Sequence, residues 1–257
     1  MASELARILE TKRIEISKMR GKKLPTPPEL RRCDLKRILP QPIRVLAEIK
    51  FKSPSAGLLS SHLSVAERAA VYDRGGACVV SVLCDERFFG GTYEHLTIAK
   101  HACGLPILCK EFVLDEVQLD WARAYGADAV LLIARCVSHD ELNRLHRAAI
   151  ERELVPLVEV ATAEEAAWVS DLGCSTIGVN ARDLNTLVVD TDNASRILES
   201  LPKSRARIHL SGIRTPSDIT RLTHLGVDAV LIGEALMRQS DPEPLLRSMV
   251  QMTLSPE

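Results

Sequence analysis

Glu48, Lys50 and Lys52 place one carboxylate and two ammonium groups at alternate positions of Ala47-Glu48-Ile49-Lys50-Phe51-Lys52-Ser53-Pro54-Ser55-Ala56-Gly57. Alternate residues of an extended strand share a face, so the three are expected to point one way. Ile43, Val45 and Ala47, just upstream, are assigned to that face too, which would make it apolar first and charged only at its end. Pro54 and Gly57 then break the strand into a loop. Alone, this pattern reads as a solvated strand end. Its weight comes from later apolar runs that finish in the same manner. Lys110-Glu111 closes Leu105 to Cys109, Glu159 stands near the end of Val155 to Val160, and Asn180 follows Thr176 to Val179. Ser211-Gly212 follows Arg207 to Leu210, and Gly233-Glu234 follows Ala229 to Ile232.

These residue types suit proton transfer around an anion. Acids and ammonium groups facing one another in a poorly solvated mouth have their proton affinities set by that environment, which groups Lys110, Glu159 and Glu48. Lys110 by itself is read either as a lysine snorkelling to the rim or as a placed cation and proton donor. Ser211-Gly212 and Gly233-Glu234, each ahead of a helix, have the form of a backbone cradle that holds phosphate without net positive charge. Phe88-Phe89-Gly90-Gly91 is an aromatic pair in a chain with only 4% aromatic residues. It is either ordinary loop packing or one wall of a pocket for a flat ring.

The elements that must position these groups follow from periodicity. Short apolar runs at Arg44 to Ile49, Cys78 to Leu83, Pro106 to Leu108, Ala127 to Ile133, Val155 to Val160, Thr176 to Val179, Arg207 to Leu210 and Ala229 to Ile232 read as strands. Helical patterns separate them, opened by Ser64-Val65-Ala66-Glu67 and Asp115-Glu116 and continued at Ser138 to Glu151, Thr162 to Leu172, Asp192 to Leu201, Thr215 to Leu225 and Pro242 to Met252. Two segments, Gly126-Ala127-Asp128-Ala129-Val130 and Gly226-Val227-Asp228-Ala229-Val230, echo one another as a helix stop followed by a strand. Parallel strands need crossover helices, so the pattern predicts an α/β fold of the (β/α)8 TIM-barrel type. An open doubly wound sheet is the second choice, and it lacks the expected Gly-x-Gly-x-x-Gly turn. Ser3 to about Met19 reads as an extra amphipathic helix capped by Ser3 and stopped by Pro25, followed by a stiff Thr26-Pro27-Pro28 connection. Residues 1–257 are thus taken as one barrel domain, with residues 1–42 an N-terminal helical extension packed on it.

Composition bounds the partners. A formal net charge of -1 gives no general attraction for nucleic acid, and no apolar run is long enough for a membrane span. Seven scattered cysteines form no Cys-x-x-Cys pair, and the seven histidines form no His-Glu-x-x-His pattern, so no metal site is expected and a reduced, cytoplasmic setting is.

At this point the chain resembles the indole-3-glycerol-phosphate synthase family of tryptophan biosynthesis. The resemblance is carried over nearly the whole length by Ala47 to Ser55, Ser81-Val82-Leu83-Cys84-Asp85 with Phe89-Gly90-Gly91, Leu105 to Phe112, Leu157 to Val160, Ile177 to Leu184, Ser211-Gly212-Ile213 and Ile232 to Met237. It implies a (β/α)8 lyase with an N-terminal helical segment, needing no cofactor and no metal. The substrate would be 1-(2-carboxyphenylamino)-1-deoxyribulose 5-phosphate, closed to indole-3-glycerol phosphate with loss of carbon dioxide and water. By the same resemblance Lys110 is the general acid on the ketone oxygen, Glu159 a proton-transfer partner, and Glu48 and Lys50 assist. Asn180 and Ser211 orient the substrate, and Gly212 and Gly233 hold phosphate. Lys52, Ser53, Pro54, Ser81, Phe89 and Glu234 are expected to contact substrate or phosphate.

Three departures accompany the resemblance. Leu210 stands where the family usually has Glu, Ala181 replaces a second Asn, and Ala161 replaces a common His. Leu210 is expected to open an apolar contact near the substrate, which would suit a paralogue acting on a ring-substituted compound. Two further alternatives are another phosphosugar-handling barrel, such as an isomerase or epimerase, and an inactive barrel that binds a phosphorylated ligand or protein. The first leaves Glu-x-Lys-x-Lys without a role, and the second has only Leu210 in its favour.

Overall fold

The computed structural model describes residues 3–36, 43–59 and 62–252. Eight strands close into a parallel barrel: β1 Arg44–Ile49, β2 Val79–Leu83, β3 Ile107–Lys110, β4 Ala129–Ile133, β5 Val155–Val160, β6 Thr176–Asn180, β7 Ala206–Leu210 and β8 Ala229–Ile232. Each strand pairs with its neighbours in sequence, and β1 closes the cylinder against β8 through Arg44↔Ala229 to Ala47↔Ile232. Closure removes every exposed sheet edge.

Side-chain alternation divides the strands between two apolar layers. Leu46, Val79, Leu108, Leu131, Leu157 and Leu231 fill the barrel interior. Val45, Ala47, Ile49, Val80, Val82 and Val130 face outward and join the helices in the larger cluster. This corrects the face assigned to the start of β1. Ile43, Val45 and Ala47 belong to the outer layer, whereas Leu46 is in the inner layer, one pleat below Glu48. The strand also stops at Ile49, and Lys52-Ser53 pairs with Gly57-Leu58 in a small antiparallel hairpin, so Lys52 does not continue the face of Glu48.

The helices are α1 Glu4–Met19, α2 Val65–Arg74, α3 Glu86–Phe89, α4 Glu94–Ala102, α5 Glu116–Ala124, α6 His139–Glu151, α7 Ala163–Asp171, α8 Thr191–Ser200, α9 Pro216–Thr223, α10 Glu234–Met237 and α11 Glu243–Met252. Reciprocal capping boxes start five of them: Ser64 with Glu67, Asp115 with Gln118, Ser138 with Glu141, Thr162 with Glu165, and Thr215 with Asp218. These caps fix where the loop leaving each strand must become helix, and so set the height of the mouth. Helix α4 went unread because Tyr93 at its start makes no side-chain cap.

Helix α1 is capped by Ser3, whose Oγ accepts from the Ala6 N–H at 3.2 Å. It ends at Met19 as expected, ahead of Pro25, where Arg20 adopts extended backbone and its guanidinium meets Asp115 at 2.6 Å. Leu5 and Ile8 join the interior cluster with Phe112, Leu131 and Ile133, which seats the helix on the barrel mouth. From there the chain runs without regular structure to the opposite end of the barrel, where Arg31 donates to the Leu105 and Lys100 carbonyls and its N–H to Asp128. The end of the expected extension, residues 37–42, lies outside the described residues.

Candidate active site

The carboxyl ends of the strands surround a cavity. Glu48, Lys50, Lys110, Glu159, Asn180, Ser211 and Glu234 all line it, with Ser53, Pro54 and Phe89. All eight strands or the loops after them reach this cavity, and the charged and polar residues just named are up to 186 positions apart in sequence (Glu234 minus Glu48).

Glu48 is the electrostatic centre. Its carboxylate is 2.7 Å from the Lys50 ammonium through one oxygen and 3.9 Å from Lys110 through the other, and the residue is 2% exposed. Burial pushes the carboxyl toward protonation, but Lys50 and Lys110 outweigh it and hold Glu48 below the ordinary carboxylate range. Glu159, on the far side of the strand order, is also 2% exposed. One of its oxygens accepts from Asn180 Nδ2 at 2.8 Å, and the other has no hydrogen-bond partner among the described residues. Asn180 Oδ1 in turn accepts from the Arg182 N–H at 2.9 Å, so the amide is oriented from both sides.

The cavity has two chemically distinct ends. Ile8, Leu83, Phe89, Phe112, Leu131 and Ile133 make one end apolar, and the Phe89 and Phe112 rings stand 6.0 Å apart. The other end opens into an adjoining recess lined by Lys50, Arg182, Ser211, Gly212, Arg214 and Gly233. Of the expected anion cradle, Gly233-Glu234 does open a helix, with Gly233 capping α10, and Ser211-Gly212 differs. Ser211-Gly212 is not at a helix start, since α9 begins only at Pro216, and the Arg214 and Thr215 N–H groups are turned onto Asp218. Lys50, Arg182 and Arg214 supply cations that the glycine-based argument did without. Ser211 and Leu187, both at the cavity, are held at positive φ (67° and 62°), a strained backbone for side-chain-bearing residues.

Glu234 turns its carboxylate to Arg238 at 2.9 Å and lies 3.9 Å from Arg182. Burial opposes, but Arg238, Lys50 and Arg182 together hold it below its ordinary range. A side chain at Gly233 would force Glu48 to shift, because a Cβ there would lie 2.3 Å from Glu48 Oε1. Two expected contacts are not brought to the cavity wall. Ser81 is fully buried in β2 with no hydrogen-bond partner for its hydroxyl among the described residues, and Lys52 lies beside Gly90. Leu210 is likewise no part of the wall. It is 1% exposed and packs into the space left by Gly178, beside Leu157, which corrects the expectation of an apolar substrate contact there.

Sequence reasoning missed Arg182, Arg214, Phe112 and Ile8. Arg182, two residues past Asn180 at the end of β6, carried the same strand-end signal as Lys50 past Glu48. Ile8 carried none, since only the docking of α1 brings it to the mouth.

The sequence profile described as indole-3-glycerol phosphate synthase matches residues 5–249. The chain belongs to the indole-3-glycerol phosphate synthase family. Among curated family members, the indole-3-glycerol phosphate synthase of Nocardioides sp. is 42% identical over 205 residues, covering 80% of this chain and 79% of its own. That of Mycobacterium avium is 39% identical over 238 residues, covering 92% and 86%. Among solved structures, 3-hexulose-6-phosphate synthase from Salmonella typhimurium superposes with a TM-score of 0.66 at 15% identity, over 82% of this chain and 99% of its own. Thiamine phosphate pyrophosphorylase from Pyrococcus furiosus gives 0.62 at 16%, over 82% and 96%. At that identity the likeness is one of fold alone.

Proposed function

We propose that the chain closes 1-(2-carboxyphenylamino)-1-deoxyribulose 5-phosphate to indole-3-glycerol phosphate, releasing carbon dioxide and water, and is thus a carbon-carbon lyase. The observation that carries this reading is the two-ended cavity. A phosphosugar suits the recess of Lys50, Arg182 and Arg214, an aromatic ring suits the Phe89 and Phe112 end, and proton-transfer groups stand between them.

In this reading Lys110 gives a proton to the ketone oxygen as the ring carbon bearing the carboxylate attacks, so that charge developing on oxygen is neutralised where it forms. Breaking the bond to the carboxylate releases carbon dioxide and restores the benzene ring. Glu159 takes up a proton during the loss of water that forms the indole. Its oxygen without a hydrogen-bond partner supports this role, and Asn180 holds its other oxygen. Glu48 stands between the Lys50 and Lys110 ammonium groups and offsets their mutual repulsion. Ser211, Gly212 and Gly233 border the phosphate, while Ser53 and Pro54 border the sugar and ring from the loop after β1.

The barrel with its extension acts here as one unit, since α1 forms part of the cavity. A cytoplasmic setting suits seven free thiols. Among the described residues no helix is long and apolar enough to cross a membrane. Adding the substrate and following indole absorbance tests the reaction. Turnover by the wild type and its loss, by about a thousandfold or more, in Lys110→Ala with an unchanged melting temperature is the expected result. Wild-type-like turnover in that variant would remove Lys110 from the chemistry.

A further inference from the structure

Lys12, on the extra helix α1, is a buried lysine surrounded by acids. It is 2% exposed, and its ammonium lies 2.6 Å from Glu15, 3.0 Å from Asp85 and 3.0 Å from Glu111. Of the two distant acids, Glu111 lines the cavity and Asp85 is buried behind it, under the helix that carries Phe89. Glu111 sits between Lys110 and Phe112 and accepts from the Phe112 N–H at 2.7 Å through the same oxygen that meets Lys12. Asp85 uses one oxygen for Lys12 and the other to cap α3 through the Phe88 N–H at 2.7 Å, and its carbonyl accepts from the Gly91 N–H. Helix α3 ends in Phe89. One cation thus joins the ends of β2 and β3 just behind Lys110 and both aromatic rings.

We propose that Lys12 is a positioning residue for the reaction: its ammonium ties Asp85 and Glu111 together and thereby holds Lys110, Phe89 and Phe112 in working geometry. The inference rests on the reading of Lys110 as proton donor. Removing the cation leaves two buried carboxylates facing each other, and like charges at that range drive the strand ends apart unless one takes a proton. The groups around Glu111 are Lys12 and Glu15 from α1, Cys84 and Asp85 after β2, Cys109 and Lys110 on β3, and Tyr93 at the start of α4, with Lys18, Lys22, Glu86 and Glu94 farther out along the same groove. Burial and Asp85 raise Glu111 to about 7 even against the pull of Lys12. Without Lys12 the acid titrates higher still.

The test measures turnover of Lys12→Met, Glu111→Gln and the double variant at about pH 6 and about pH 9.5, the higher value chosen to ionise Glu111 even without Lys12. It also measures acetylation of Lys110 by acetic anhydride, read by mass spectrometry. At about pH 9.5 Lys12→Met is expected to lose at least about tenfold in kcat, the scale of a misplaced catalytic group. The deficit should shrink at about pH 6, where protonated Glu111 needs no cation, and the double variant should return to within about threefold of wild type at both pH values. Lys110 acetylation should change in Lys12→Met and revert in the double variant. A kcat for Lys12→Met within about twofold of wild type, or a loss that is equal at both pH values and persists in the double variant, would overturn the proposal. Should Lys12→Met not fold, the double variant decides alone: recovery to within about threefold upholds the proposal, and less than about a tenth of wild-type kcat overturns it. Absence of wild-type turnover would sink the assigned reaction instead, and the acetylation pattern would still report on Lys12.

Discussion

At the scale of single residues, the site depends on how few groups surround each charge. Glu159 has one oxygen engaged by Asn180 and one without a hydrogen-bond partner, so Glu159→Gln keeps the shape and loses only the capacity to take a proton. Its kcat is expected to fall by about a hundredfold or more with little change in KM, measured by steady-state kinetics. Gly233 shows the opposite kind of constraint. Any side chain there enters the space of the Glu48 carboxylate, so Gly233→Ala should displace Glu48 from Lys50 and cost about tenfold in kcat while the protein stays folded. Leu210 illustrates a substitution absorbed by the core. Its side chain fills the gap over Gly178, and Leu210→Glu would bury a carboxylate among Leu157 and its neighbours. That variant is expected to melt lower, by about 2 kcal/mol or more in stability, with no gain in turnover.

At the scale of elements, α1 is the part of the molecule whose stability bears most directly on the site. It brings Ile8 to the cavity and Lys12 to the buried acids, yet its first turn depends on Ser3. Ser3→Ala removes a cap worth about 1 kcal/mol. Hydrogen exchange is expected to quicken in α1 while the barrel strands keep their protection, with KM rising before the melting temperature falls. The loop after β6 is held more firmly. Asp183 accepts from the Asn185 and Thr186 N–H groups and pairs with Arg135 at 3.0 Å, and Arg182 donates to the Leu187 carbonyl at 3.0 Å. The guanidinium that lines the recess with Lys50 and Arg214 is thereby fixed by its own loop.

At the scale of the whole molecule, buried titratable groups in the outer layer set the response to pH. His209 lies on β7 with neither ring nitrogen hydrogen-bonded among the described residues. Burial lowers it from 6.5 to about 4, with Asp218 opposing only weakly. The native state therefore binds fewer protons than the unfolded chain between those values, and stability falls as pH drops from about 6.5 toward about 4. Urea unfolding over that window should show a loss on the order of 3 kcal/mol, and His209→Leu should flatten it. Glu111 acts in the other direction. Its raised affinity favours the native state below the ordinary carboxylate range, and that contribution is lost as pH rises through about 7.

The sequence by itself determined the barrel and most of the rim. Strand and crossover-helix signals are local, written in apolar alternation and in caps such as Ser64-Glu67 and Ser138-Glu141, and they can be read without knowing what packs on what. Because every strand of a closed parallel barrel ends at one face, placing Lys110, Glu159, Asn180 and Ser211 at strand ends was enough to gather them. What only the tertiary structure decided is which of two faces, or which of two distant segments, meets the ligand. The pleat of β1 separates Glu48 from Val45 and Ala47, and the hairpin after it takes Lys52 elsewhere. Leu210 sinks onto Gly178, whereas Arg182 and Arg214 rise into the recess. The grip of Lys12 on Asp85 and Glu111 joins residues 73 and 99 positions away, by the differences of their numbers. Such contacts arise from burial of one surface against another, and no local pattern in the chain encodes a partner that far along it.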